Sequence, residues 1–161
     1  MKERCAKLTK LLRQKGLTIS CAESCTGGLV SKSITDISGV SSVFLGGVVS
    51  YDNSVKMGLL GVKEETLRDY GAVSAQTAEE MALGVCRACG TSVGISTTGI
   101  AGPDGGTDEK PVGTVYIGAC INGNATSMRL NIDPSFSREQ IRCEAVRLLI
   151  DFTIDKIIQS T

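Results

Sequence analysis

The patterning of this chain predicts an α/β fold, a three-layer α/β/α sandwich on a mixed, mostly parallel sheet that contains one antiparallel hairpin. Three observations carry the prediction. Short apolar runs of strand type alternate with segments of helical period, the order that lays helices over both faces of a parallel sheet. The alternation breaks once, where "GTVYIGACI" and "ATSMRLNI" flank Asn122-Gly123, a dipeptide suited to the two-residue turn of an antiparallel hairpin. Finally, 161 residues are enough for one full core and too few for two, so a single domain over residues 1–161 is expected, without internal repeat or linker.

Each element has its own local reason. Cys5, Leu8, Leu11 and Leu12 recur at helical spacing and stop at Gly16, a residue that accepts the left-handed conformation of a helix stop. "LTISCA" reads as a buried strand running straight into "ESCTGG". After that turn Leu29, Val30, Ile34 and Ile37 mark a helix up to Ser38-Gly39. "SVFLGGVVSYDN" is a second strand whose end exposes Tyr51, Asp52 and Asn53, "SVKMGLL" is a short helical turn, and Lys63 begins another polar helix. From Ser74 a longer helix carries Ala78, Met81, Ala82, Val85 and Cys86 on one face and ends near Gly90. "TSVGIST" is a third strand, delivering the chain into "TGIAGPDGGTDEKPVG", a loop too long for a simple connection. The last helix opens with Ser137 and Gln140, a capping-box spacing, and continues through Leu148, Leu149, Phe152 and Ile157.

Composition narrows the function. Lys plus Arg and Asp plus Glu balance at 17 each, so no long-range field favours a phosphate backbone or an anionic membrane, and no nucleic-acid partner is expected. No apolar run reaches the roughly 18 residues that span a bilayer, and "MKERCAKLTK" is too polar for a signal-peptide core, so a cytoplasmic protein without membrane contact is expected. The seven cysteines are odd in number and fall mostly in apolar segments, which suits reduced, buried thiols. The lone C-x-x-C, Cys86 to Cys89, lies late in an amphipathic helix without a second pair, and is read as structural.

In a sheet of this kind ligands settle beyond the carboxyl ends of the parallel strands, where "ESCTGG", "SYDNSVK" and "TTGIAGPDGG" are expected to converge. The first places Ser24 and Cys25 on a turn between strand and helix, where backbone N–H groups hold a developing oxyanion and Gly27 and Gly28 admit a substrate closely. Taken alone, the loop reads more simply as a capping Ser24 or Thr26 followed by a tight glycine turn. The chain has no histidine, which excludes Ser-His and Cys-His pairs. A carboxylate is a poor base for an alcohol, which leaves a neutral lysine. Lysine titrates near 10.4, so a base at neutral pH must be lowered by about 3, on the order of 4 kcal/mol, which burial among apolar neighbours supplies. Lys2, Lys10, Lys15 and Lys156 lie on solvent faces of terminal helices. Lys56, among Val55, Met57, Leu59 and Leu60, is the candidate; by itself it reads more simply as a lysine with a buried stem and a solvated tip, and Lys110 competes. The third segment offers the hydroxyls of Ser96, Thr97 and Thr98 and the glycines 99, 102, 105 and 106, which suit a phosphate or ribose and equally a structural loop. Arg138 and Arg142, one helical turn apart, clamp an anion or are ordinary surface charge.

Taken jointly and in order, "AESCTGG", "VSYDNSVKMGLLGV", "GAVSAQTAEEMA" and "TTGIAGPDGGTDEKPVGTVYIG" resemble the CinA C-terminal domain family, the nicotinamide-nucleotide amidases, from about Leu17 to the final helix. The resemblance implies the α/β/α fold, a homo-oligomer (dimer or higher), and hydrolysis of the carboxamide of a small-molecule nucleotide substrate, nicotinamide mononucleotide, to nicotinate mononucleotide and ammonia, with no metal and no organic cofactor. Mapped by motif, the nucleophile falls on Ser24 and the lysine of "YDNSVK" on Lys56. Tyr51 matches the tyrosine of the same motif, expected to orient Lys56 or relay a proton. Backbone N–H groups from Cys25 to Gly28 are the expected oxyanion donors. Substrate binding is expected of Thr26, Gly27, Gly28, Asn53, Thr98, Gly99, Gly102, Gly105 and Arg142, with Arg138 the alternative to Arg142. Thr98 stands where serine is expected in many relatives, and its extra methyl sets a direct catalytic part for that position in doubt. Activity of the additional N-terminal domain that many members carry is not transferred.

Overall fold

In the computed structural model, which describes residues 1–160, Cys5, Leu8 and Leu12 are buried along one side of α1 (Lys2–Lys15), and Gly16 ends it at φ 63° as the spacing predicts. Thr161, the last residue of the expected domain, lies outside the described residues. The chain continues through β1 (Ile19–Glu23), α2 (Leu29–Thr35), a 3-10 turn (Val40–Ser42), β2 (Phe44–Val49), α3 (Asn53–Leu60), α4 (Glu64–Tyr70), α5 (Ala75–Cys89), β3 (Val93–Gly99), β4 (Thr114–Ile121), β5 (Asn124–Asn131) and α6 (Arg138–Gln159).

The strands form one sheet in the order β2-β1-β3-β4-β5. β1 pairs in parallel with β2 and with β3; β4 pairs antiparallel with both β3 and β5, so β4 alone runs against the other four. The predicted hairpin is present, with Asn122 at φ 49° and Gly123 at φ 86°, the positive pair a tight right-twisting turn requires. Central β1 is buried at all five positions. On one face α1, α2 and α6 bury Leu12, Ile34, Ile141, Leu149 and Ile150 against Ile19, Ile95 and Ile117 in the main core. On the other face Met81 and Val85 of α5 pack with Leu60 and Ala22. Two small residues of the sheet let α5 come close: a Cβ on Gly94 would stand 2.1 Å from the Ala82 carbonyl oxygen, and one on Gly118 2.5 Å from that of Ala78. The Ser96 hydroxyl then donates to the Ala78 carbonyl (2.6 Å) and that of Ser20 to the Val85 carbonyl (3.1 Å), tying helix to sheet.

Two boundaries differ from the patterning, for tertiary reasons. β3 runs on through Thr98 and Gly99, because β4 supplies Tyr116 and Val115 as partners for them. α2 ends at Thr35, although Ile37 still packs on the core from outside the helix. The capping box at α6 forms as its spacing predicts, Ser137 and Gln140 exchanging side-chain and backbone hydrogen bonds.

Candidate active site

The three strand ends converge as the fold class predicts. Ser24 N–H donates to Thr97 O (3.0 Å) and Ser50 N–H to Glu23 O (2.8 Å), so the ends of β1, β2 and β3 are stitched side by side. From the far end of the sheet, Arg142 of α6 donates to the Thr26 carbonyl, and Arg138 donates to Gly102 O (2.7 Å) and to the Tyr51 hydroxyl (2.9 Å).

Ser24 follows β1 directly and is partly exposed, whereas Cys25 is 5 % exposed and belongs to the main core. Adjacent residues on a tight turn point apart, and here it is the serine that faces outward. Burial pushes the Cys25 thiol up to about 12, which keeps it in its weakly nucleophilic neutral form. The turn then needs two positive φ values in succession, Gly27 at 56° and Gly28 at 102°. A Cβ on Gly27 would also meet the Arg142 guanidinium at 3.3 Å.

Among the described residues the buried charged side chains are Glu23 and Lys56, 0 % and 1 % exposed, and both stand at this cluster of strand ends. Lys56 is therefore not a snorkelling lysine. Its Nζ reaches back from α3 to donate to Ser50 O (2.9 Å) and to Tyr51 O (3.1 Å), carbonyls six and five residues earlier in the segment between β2 and α3. Burial lowers the pKa of its amine, opposed by the Asp52 carboxylate and by Cys25. Two carbonyls match the two N–H bonds of a neutral amine, whose lone pair is not used by either contact. Lys110 is placed differently: its Nζ donates to Tyr70 O (3.0 Å) in an exposed position.

Glu23 is the residue that patterning does not signal. Its two oxygens collect Thr26 Oγ1 (2.7 Å), Gly28 N (2.9 Å), Val30 N (2.9 Å), Ser31 N (2.8 Å) and Ser31 Oγ (2.8 Å). It thus caps α2 from the strand before it. Neither Ser24 nor Thr26 is the cap, because the residue at the N-cap position is Gly28 and has no side chain to offer. The one available hint is that absence: a helix opening on Gly-Leu needs an acceptor from elsewhere.

The remaining expected residues divide by accessibility. Tyr51 is 60 % exposed; its carbonyl, not its hydroxyl, holds Lys56, and the hydroxyl accepts from Arg138. Asn53 is exposed at the start of α3, and Gly27 and Gly105 are exposed on their loops. Gly99 is half-buried at the end of β3, and Gly102 is buried with its carbonyl taken by Arg138. The Thr26 and Thr98 side chains face inward: Thr26 Oγ1 bonds Glu23 and Thr97 Oγ1 (2.7 Å), and Thr98 Oγ1 donates to Ala72 O (2.6 Å). Arg142 Nε is buried and without a protein partner. A groove of ≈ 580 Å³ between α1, α2 and α6, lined by Leu29, Phe136 and Cys143 among others, includes none of these site residues. Among the described residues no group of three or more Cys, Asp or Glu side chains is arranged to hold a metal, and no helix is long and apolar enough to cross a membrane.

Comparison with known proteins agrees with this fold. A CinA-like protein of Kosmotoga olearia is 51 % identical over 145 residues, covering 90 % of this chain and 35 % of its own length. A competence-damage inducible protein of Clostridioides difficile is 56 % identical over 144 residues, covering 89 % of this chain and 34 % of its own. The chain thus spans about a third of the length of the curated relatives it matches. The crystal structure of the competence/damage inducible protein CihA of Agrobacterium tumefaciens superposes with a TM-score of 0.92 at 39 % identity, over 96 % of this chain and 93 % of that one. A CinA superfamily protein of Klebsiella pneumoniae superposes at 0.93 with 28 % identity, over 98 % of each chain. The pattern characteristic of the CinA C-terminal domain matches residues 2–157, which takes in every strand and all the loops just described, and the chain belongs to that family.

Proposed function

We propose that the chain is an amidohydrolase that cleaves the carboxamide of nicotinamide mononucleotide, giving nicotinate mononucleotide and ammonia in pyridine-nucleotide recycling. The observation that carries the reading is Lys56: a lysine of α3 that is 1 % exposed, its pKa lowered by burial and its amine clamped by two carbonyls of the preceding segment, which Ser50 N–H bonds to the strand end that presents Ser24. Neutral Lys56 takes the Ser24 hydroxyl proton as Oγ attacks the carboxamide carbon, and the pyridinium ring draws electrons from that carbon. The tetrahedral oxyanion meets backbone N–H groups of the turn. Gly28 N–H is already committed to Glu23, Gly27 N–H donates to Ser24 O (3.1 Å) and Cys25 N–H is engaged by its own thiol, so Thr26 N–H is the remaining donor of the turn. The C–N bond then breaks as protonated Lys56 gives its proton to the departing ammonia. Water attacks the acyl-enzyme, its proton passing through Lys56, and Ser24 is restored. Arg138 and Arg142 meet the phosphate, with the loop from Thr98 to Gly106 beside the ribose.

Self-association belongs to the same reading. β2 is an edge strand, and Leu45, Val49 and Leu59 are exposed on it and on the neighbouring α3, an apolar surface next to the site that a second copy covers. Incubation with nicotinamide mononucleotide and measurement of ammonia tests the activity. Release by the wild type and none by Ser24→Ala is expected; equal release by both removes Ser24 as nucleophile, and none by either removes the substrate.

A further inference from the structure

Three N–H groups at the start of α2 would ordinarily be the natural anion site beside a nucleophile on a strand-to-helix turn. Here they are closed. Gly28 N–H, Val30 N–H and Ser31 N–H all point at the Glu23 carboxylate, at 2.8 to 2.9 Å. The same carboxylate takes the Thr26 hydroxyl, which also bonds Thr97, and the Thr97 carbonyl accepts Ser24 N–H. The turn from Ser24 to Gly28 is thereby held from beneath at both ends. Through its own carbonyl Glu23 also holds Ser50 N–H, and Ser50 O in turn holds Lys56 Nζ. We propose that Glu23 is a positioning residue: its carboxylate fills the N-terminus of α2 and so fixes the turn that presents Ser24. The proposal deepens the Ser24/Lys56 reading and rests on it for the identity of the nucleophile, but not for the identity of the substrate.

The chemistry distinguishes this from plain helix capping. Five N–H and O–H donors, with the Cys21 thiol at 3.8 Å as a weaker sixth, converge on two oxygens, and three of them are backbone N–H groups that can only donate. Glu23→Gln keeps shape and volume but replaces one acceptor by an NH₂ donor. Whichever oxygen is replaced, that donor faces at least one backbone N–H, and the turn must move to separate them. A shift of the turn misaligns Ser24 and the backbone donors beside it, which lowers the rate of the chemical step more than the affinity for the nucleotide, because Arg138 is anchored on Gly102 O and the Tyr51 hydroxyl and not on the turn.

Two measurements on the full chain decide the matter. The first is the rate at which phenylmethylsulfonyl fluoride sulfonylates Ser24, followed by intact mass, which needs no assumption about the natural substrate. A loss of about 30-fold or more is expected in Glu23→Gln, with about 3- to 10-fold in Ser31→Ala, which removes a single donor from the carboxylate. The second is ammonia release from nicotinamide mononucleotide, where Glu23→Gln is expected to lower kcat by about 30-fold or more and leave KM within about threefold. Wild-type sulfonylation rates in a folded Glu23→Gln overturn the proposal. If that variant does not fold, a wild-type rate in Ser31→Ala overturns it instead, and the expected intermediate loss supports it. A wild type that is sulfonylated at Ser24 but releases no ammonia removes the substrate reading alone.

Discussion

Replacing Lys56 by Met preserves an apolar stem of similar length and deletes the amine, and the structure sets what that costs. Ser50 O and Tyr51 O each lose a donor, at 2.9 and 3.1 Å. Ser50 is buried, so its orphaned carbonyl costs about 1–3 kcal/mol, whereas the exposed Tyr51 has water within reach. Against this stands relief from burying an amine that is 1 % exposed. The two effects oppose, and the fold is expected to stay within about 2 kcal/mol of wild type near neutral pH. Activity does not balance in that way. Loss of a general base removes about 10²- to 10⁴-fold, or about 3–5 kcal/mol of barrier, and more where the same group also protonates the leaving ammonia. The pH dependence carries a definite sign. Burial lowers the folded-state pKa of Lys56 below its unfolded value, so between the two the unfolded chain holds a proton that the folded chain does not. Wild-type stability relative to Lys56→Met therefore rises with pH through that window and levels off above the ordinary lysine value of about 10.4. The kcat/KM profile of wild type rises with pH in step with loss of the same proton. Ammonia release across pH, with urea midpoints at pH 7 and 9.5, reads all of this. A variant that still turns over within tenfold of wild type, with an unchanged pH profile, removes Lys56 as the base.

Cys25→Ala is expected to keep ammonia release within about threefold of wild type while Ser24→Ala loses it, since Cys25 is a core side chain whose thiol burial holds neutral; a dead Cys25→Ala beside an active Ser24→Ala reverses the assignment. Arg138→Ala gives up charge-assisted hydrogen bonding to a substrate phosphate, about 1.5–3 kcal/mol, and is expected to raise KM by about 10- to 100-fold with little change in kcat; steady-state kinetics with an unaltered KM removes Arg138 from the phosphate site. Gly84→Ala sets a Cβ 2.0 Å from the Leu60 carbonyl oxygen, a contact with backbone that no rotamer relieves. It is expected to cost about 1–3 kcal/mol, read as a lower urea midpoint, and a midpoint equal to wild type means that α3 and α5 separate freely.

What the sequence makes legible here is what short-range chemistry determines. Gly16 stops α1, Asn122-Gly123 turns the hairpin, and Ser137 with Gln140 opens α6, because each signal and its partner lie within a few residues. The strand ends that carry Ser24, Lys56 and Thr98 follow from the alternation of elements. What patterning leaves open is decided by atoms distant in sequence. By patterning Lys56 reads more simply as a lysine with a buried stem and a solvated tip, and the amine is buried only once α3 is folded against α5 and the strand ends. Thr98 reads as a loop hydroxyl free for a ribose, yet pairing with Tyr116 draws it into β3 and Ala72 takes its hydrogen bond. Glu23 has no local signature because its function is to supply what Gly28 lacks, and an absent cap is visible only once the helix boundary is known.

A chain without histidine that is to activate an alcohol needs a base whose neutrality is imposed, and imposing it by burial carries a structural risk. A long, flexible side chain in a dry site must still be aimed. The arrangement at Lys56 meets that requirement locally: the carbonyls that aim the amine are five and six residues earlier, in the segment from β2 into α3, so the proposed base is oriented by the chain just before its own helix. The nucleophile is oriented the opposite way, from beneath, by a carboxylate at the end of the preceding strand. The two halves meet at one backbone hydrogen bond, Ser50 N–H to Glu23 O at 2.8 Å, between neighbouring parallel strands. On the proposed reading, base and alcohol are thus tied together through the backbone of neighbouring strands. Tyr51 and the Gly102 loop, by contrast, are joined only through the Arg138 side chain, and on the proposed reading it is these contacts that meet the substrate. Catalytic geometry on strand ends and substrate contacts on loops is the division that allows specificity to vary without disturbing the proton transfer.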